Sequence, residues 1–234
     1  MANVTFTWLG HGSFRLDSAE GQRIYVDPWL DNPKYPESER EIERIDVLAL
    51  THGHTDHVGS AVDLCKRHSP KVVAMIELAS WLESQGAEGA SALGMNKGGT
   101  VAVDGVRFTM THAAHSSGLV GDGGEITYLG EPAGFVIRFE DGVSVYCAGD
   151  TAVFSDMQLI GRLYSPDVAI LPIGDHFTMG PEEAAVALEL LGSKRCIPIH
   201  WGTFGLLTGT PQALRERATG VEIVDAQPGA RIEL

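Results

Sequence analysis

Thr51-His52-Gly53-His54-Thr55-Asp56-His57 follows directly on the apolar run Val47-Leu48-Ala49-Leu50. An unbroken apolar run of this length reads as a strand buried on both faces, in a parallel or mixed sheet. Several candidate ligands therefore emerge together on a tight turn at one strand end. His52 and His54 are two apart, so on extended backbone both point the same way. Asp56 and His57 follow at once and can face a second ion. Imidazole and carboxylate are the donors of catalytic zinc, manganese and iron sites. The stretch predicts a metal-binding loop rather than a polar surface turn.

The rest of the chain bounds this reading. Its 234 residues are 44% apolar, ample for a substantial core. No run approaches the length of a membrane span, and the first residues, Met1-Ala2-Asn3-Val4-Thr5, lack the basic and apolar regions of a signal peptide. Cys65, Cys147 and Cys196 are an odd, sparse set without a CxxC, which argues for reduced thiols and a cytoplasmic location. Cys147 and Cys196 lie in apolar runs and read as small core residues. A formal net charge of −14 disfavours nucleic acid and anionic lipid as partners. It leaves room for a small anionic substrate, because bound cations offset charge locally.

Upstream, strands are expected over 4–9, 13–17 and 23–27, the last two joined by a turn at 19–22, followed by an acidic, proline-bearing excursion over 31–44. Downstream, residues 58–68 have helical spacing, 71–75 reads as a strand and 77–85 as a helix. Hairpins are expected at 100–103/106–111 and 134–139/143–147, with a glycine-rich mobile loop over 116–132. Helices then fall at 155–163, 181–191 and 211–218, and strands at 167–171, 195–199 and 221–224. Pro181 with Glu182 and Glu183 is a good helix start. Strands followed by strand–helix alternation occur twice without a linker. One domain over residues 1–234 is predicted, with two packed sheets and helices outside.

Further candidate ligands stand at other strand ends, where binding sites collect. They are His112 and His115 after 106–111, Asp150 in Ala148-Gly149-Asp150-Thr151, and His200 before Trp201-Gly202. With Asp27 and His52-x-His54-x-Asp56-His57, this ordered series resembles the metallo-β-lactamase superfamily. Trp8-Leu9-Gly10-His11 and Pro172-Ile173-Gly174-Asp175-His176-Phe177-Thr178-Met179-Gly180-Pro181 look like the branch of uncharacterised metal-dependent hydrolases related to ascorbate-6-phosphate lactonases.

The resemblance implies an α/β fold, a four-layer αββα sandwich of two mixed sheets. It assigns His52, His54 and His115 to one metal, and Asp56, His57 and His200 to a second, with Asp150 bridging and Asp27 supporting the loop. His115 is preferred to His112 because Ser116-Ser117-Gly118 follows it. The implied cofactor is a pair of divalent ions, Zn2+ foremost and Mn2+ or Fe2+ as alternatives. Such a pair holds a bridging hydroxide that attacks a small ester, lactone or phosphodiester. Asp56 would orient the hydroxide. His176, or else His11, would protonate the leaving group or grip a substrate anion. Trp201 and Phe204, next to His200, would wall the pocket, although Phe204 reads first as a core-packing residue. The resemblance also suggests a homo-oligomer. Nucleic-acid processing is disfavoured by the charge and by the lack of a Lys/Arg cluster. Di-iron oxidoreductases usually carry Glu where this chain has His54. A non-catalytic ligand-binding role is disfavoured because every ligand position is filled.

Overall fold

The computed structural model describes residues 3–121 and 123–234. Strands β1 (Thr5–Trp8), β2 (Phe14–Asp17) and β3 (Arg23–Val26) form an antiparallel meander, to which β4 (Val47–Ala49) and β5 (Lys71–Val73) add in parallel. The short helices α1 (Thr55–Val58) and α2 (Ala61–His68) connect β4 to β5, and α3 (Ile76–Ser84) follows. The helix predicted over 58–68 thus begins only at Ala61, and Val58 instead ends the separate turn α1 that carries Asp56 and His57.

The second half repeats the plan. Strands β6 (Thr100–Val103), β7 (Val106–His112), β10 (Ala133–Arg138) and β11 (Ser144–Cys147) pair antiparallel in that order. Strands β12 (Val168–Pro172), β13 (Arg195–Ile199) and β14 (Glu222–Ile223) continue the sheet in parallel. Helices α4 (Met157–Tyr164), α5 (Pro181–Leu191) and α6 (Pro211–Arg217) connect them. The α5 start is as expected: Gly180 N donates to Glu183 Oε2 at 3.1 Å, with Pro181 in the first turn.

Alternation along the strands sets the layers. Phe135, Ile137, Val145, Cys147, Val168, Ile170, Ile197 and Ile199 join the main core shared with the first sheet. Their neighbours Val136, Tyr146, Ala169, Leu171 and Cys196 pack against α4, α5 and α6. Both faces are covered, which explains why these strands read as continuous apolar runs. Leu64, Cys65, Leu78, Ala79 and Leu82 of α2 and α3 close over the first sheet in the same core. The molecule is the expected αββα sandwich of two mixed sheets.

Two segments differ from the sequence reading. The glycine-rich loop over 116–132 contains a two-stranded ribbon, β8 (Gly118–Val120) with β9 (Ile126–Tyr128). Val120, Ile126 and Tyr128 stand exposed on it, so no burial pattern marks its strands in the sequence. An unforeseen strand, β15 (Arg231–Glu233), pairs antiparallel with β1 and completes the first sheet from the far end of the chain. No helix among the described residues is long and apolar enough to cross a membrane.

Candidate metal centre

Both sheets deliver their candidate ligands to one edge of the sandwich. His11 follows β1, Asp27 follows β3, and the histidine loop follows β4; Ala114-His115, Asp150 and His200 follow β7, β11 and β13. His11, Asp27 and His200 have φ of +52°, +46° and +55°. Left-handed backbone is uncommon outside glycine, though Asp and His tolerate it better than most residues. Its recurrence at strand ends turns the chain sharply, so that side chains face the sandwich edge.

Backbone contacts lace the two halves together there. His200 N donates to the His11 carbonyl at 2.9 Å, Ala133 N to the Thr51 carbonyl at 3.0 Å, and Gly53 N to Ser117 Oγ at 3.0 Å.

Three overlapping groups of donors result, one of them Asp27 with His52 and His57, which share members with the other two. His52, His54 and His115 converge, with His52 Nε2 2.9 Å from His54 Nδ1 and the His115 ring edge-on to both. Asp56, His57, His200 and His11 form the second group. Asp150, buried at the end of β11, lies between them. Its Oδ2 is 3.0 Å from His200 Nε2, 3.3 Å from His57 Nε2 and 3.9 Å from His115 Nε2. His112 is placed elsewhere: it is exposed, beside Lys97 Nζ at 3.2 Å and against Phe154.

Asp27 touches only supporting atoms. Its Oδ1 accepts from Thr51 N at 2.8 Å, while its Oδ2 accepts from Thr51 Oγ1 at 2.6 Å and lies 2.8 Å from His57 Nδ1. That contact leaves His57 Nε2 free to face Asp150, which is how second-layer carboxylates orient ligating imidazoles. Gly12 makes room for the same ring: a Cβ there would lie 2.8 Å from His57 Cε1.

The electrostatics call for a cation. Burial disfavours charge on His57, yet Asp150, Asp56 and Asp27 outweigh it and hold its pKa well above the usual range. His200, also buried, is pushed up to about 9 by the nearby carboxylates, Asp150 foremost and then Asp56. The neighbouring imidazoles hold Asp56 and Asp150 far below ordinary carboxylates despite their desolvation. His52 is lowered, by burial first and then by His57. His57 Nε2, both ring nitrogens of His200 and Asp150 Oδ1 are buried without a hydrogen-bond partner. Unpartnered buried donors and acceptors are costly. Nitrogen and carboxylate oxygen packed this closely without hydrogen-bond alignment is what lone pairs directed at a shared cation produce. The residues present fit divalent metal.

The two proposed proton donors differ in placement. His11 is fully buried, with Nε2 2.9 Å from Asp56 Oδ2 and Nδ1 2.9 Å from Thr203 Oγ1. Burial lowers its pKa to about 4, against the Asp56 hydrogen bond. His176 is exposed in the loop before α5, its ring edge-on to Phe177 at 4.4 Å, and joins none of the ligand groups. Phe204, 39% exposed, and Trp29 stand edge-to-face against the His11 ring, while Trp201 stacks on the buried Trp8. Thr203 and Trp29 carried no motif signal in the sequence.

Comparison with known proteins agrees with this architecture. The beta-lactamase superfamily domain matches residues 22–201. A UPF0173 metal-dependent hydrolase of Solibacter usitatus is 50% identical over 98% of this chain and 100% of its own length. One from Herpetosiphon aurantiacus is 47% identical over 98% and 97%. A solved structure, that of the metallo hydrolase Igni18 from the hyperthermophilic archaeon Ignicoccus hospitalis, covers 100% of this chain and 99% of that one at 32% identity and a TM-score of 0.87. The chain belongs to the beta-lactamase superfamily, within its UPF0173 branch of metal-dependent hydrolases.

Proposed function

We propose that this protein is a dinuclear metal-dependent hydrolase acting on a small ester, lactone or phosphodiester. The observation that carries the dinuclear reading is the position of Asp150. One buried carboxylate oxygen lies within 4 Å of His57, His200 and His115, and so touches both donor groups at once. His52, His54 and His115 would hold one ion, Asp56, His57 and His200 the other, and Asp150 both. Zinc suits the imidazole-rich donors best, with manganese and iron as alternatives. When bound, such metal would supply a water of lowered pKa and a Lewis acid for the scissile carbonyl or phosphoryl oxygen.

The chain's own groups supply the rest. Asp56 is the one carboxylate of the centre with substantial exposure, 31% of its side chain. It stays ionised, so it accepts a hydrogen bond from an incoming water and orients it. Asp150, only 3% exposed, serves structure and charge instead. The net charge of −14 favours a small-molecule substrate over nucleic acid, since the surface repels phosphate backbones.

Metal analysis by plasma mass spectrometry, on protein purified without tag or chelator, tests this reading. About two ions per chain are expected, with both lost or greatly weakened in Asp150→Ala. Turnover of aryl esters, lactones and bis-aryl phosphodiesters by the loaded protein should follow the ion content. A single ion, unchanged in Asp150→Ala and after metal supplementation, would exclude the dinuclear centre.

A further inference from the structure

His11 is buried beside the ligand groups, and its two ring nitrogens are not equivalent. Nε2 meets Asp56 Oδ2 at 2.9 Å with hydrogen-bond alignment, whereas His57 Nε2 and His200 Nε2 lie 3.7 Å from the same oxygen. An ionised carboxylate only accepts, so the proton of this bond sits on His11 Nε2. A ring nitrogen that carries a proton has no lone pair for a metal. Nδ1 of the neutral ring is then an acceptor, and the Thr203 hydroxyl at 2.9 Å is placed to donate to it.

On this basis we propose that Thr203, His11 and Asp56 form a hydrogen-bonded positioning chain that fixes Asp56 for the second metal, His11 itself being no ligand. The proposal rests on the metal-centre reading above and adds to it a determinant from outside the ligand set.

Asp56 needs such support. It stands on the first turn of α1, a four-residue helix, and its side chain is the most exposed of the second donor group. Left alone, the carboxylate rotates among several orientations. His11 has no such freedom. Its ring is wedged between His200, 3.9 Å away between centroids, and the edges of Trp29 and Phe204. Its carbonyl accepts from Trp8 Nε1 at 2.9 Å and from His200 N at 2.9 Å. The same residue therefore grips Asp56 through its side chain and His200 through its backbone, one ligand from each sheet. Gly10 allows the turn that places it, at φ +86° and with no room for a Cβ against the Lys34 carbonyl 2.8 Å away. A buried imidazole held from every side is suited to setting a ligand's orientation. It is poorly placed to meet substrate.

The test uses His11→Leu, His11→Gln and Thr203→Val, with zinc content followed under graded chelator competition. In His11→Leu the ion on the Asp56, His57 and His200 side should dissociate about 10–100-fold more readily, the usual effect of losing a partner behind a ligand, while the other ion stays. His11→Gln, whose amide nitrogen can reach Asp56, should recover most of that affinity. Thr203→Val removes the hydroxyl at nearly constant shape in a half-buried position, and should weaken the same ion to a lesser degree. With saturating zinc, turnover by the Gln variant should return toward wild type while that of the Leu variant stays low. A folded His11→Leu protein holding both ions at wild-type affinity would overturn the proposal. So would His11→Gln losing the ion as fully as His11→Leu, which would make His11 a ligand. Should His11→Leu fail to fold, unchanged zinc affinity in Thr203→Val overturns it. Wild-type protein that holds no zinc, manganese or iron even after supplementation overturns the metal-centre reading itself, and this proposal with it.

Discussion

Asp27 shows how much of the candidate centre depends on hydrogen bonds behind its imidazoles. Two percent exposed, it accepts from Thr51 twice and faces His57 Nδ1. Asp27→Asn keeps the shape and tolerates the left-handed backbone, but removes the charge behind His57. The expected result is a loss of about 10–100-fold in affinity for the ion on the His57 side, read by chelator competition. Unchanged affinity would mean that Thr51 alone orients the loop. The candidate donors could be picked out in the sequence because they lie at or just beyond the ends of apolar strands, and the fold gathers them at one edge. Supporting roles were legible only in part. Asp27 came from motif order. Thr203 had no local signal, since its partner His11 lies 192 residues away and only the docking of the two sheets brings them together. His176 sits in the loop that helped suggest the branch, yet its ring is exposed against Phe177.

At the scale of elements, β10 illustrates why the fold was readable. Phe135 points into the core between the sheets and Val136 toward the helices, and both are buried. Phe135→Ala should cost about 3–5 kcal/mol, measured by denaturant unfolding, because a large side chain leaves a cavity that rigid neighbours cannot fill. A loss below about 1 kcal/mol would contradict the packing described. Period and burial agree along β10, β11, β12 and β13, so sequence reading succeeded there. It failed where pairing rather than burial makes the strand. The side chains of β9 are all exposed, and β15 exists because β1 offers a free edge. Neither signal is local. Gly59 likewise interrupts a helical pattern, and its hypothetical Cβ would lie 2.5 Å from the Thr55 carbonyl.

For the whole molecule, the buried charges couple stability to pH and to metal. Stripped of metal, the centre balances its carboxylates with protons on His57 and His200, whose folded pKa values are raised above the usual 6.5. A raised folded pKa contributes stability that is complete below the unfolded value and lost as pH climbs through the folded one. Chelator-treated protein should therefore melt at progressively lower temperature from about pH 6.5 to about 9. Metal-loaded protein should not, since ions then take the place of those protons. Melting curves at both pH values with and without chelator decide this; a metal-free Tm that stays level or rises would refute it.

The lacing of strand ends from both sheets has one more consequence. His52 and His54 come from the first half of the chain and their companion His115 from the second. Asp56 and His57 likewise need His200. Neither half owns all the members of either of these two donor groups. On the proposed metal assignment, an ion would be retained only by a chain whose halves have both folded and met in register, so metal occupancy would report assembly as well as readiness for chemistry. Damage far from the edge, anywhere that lets one sheet slide on the other, should surface first as lost metal.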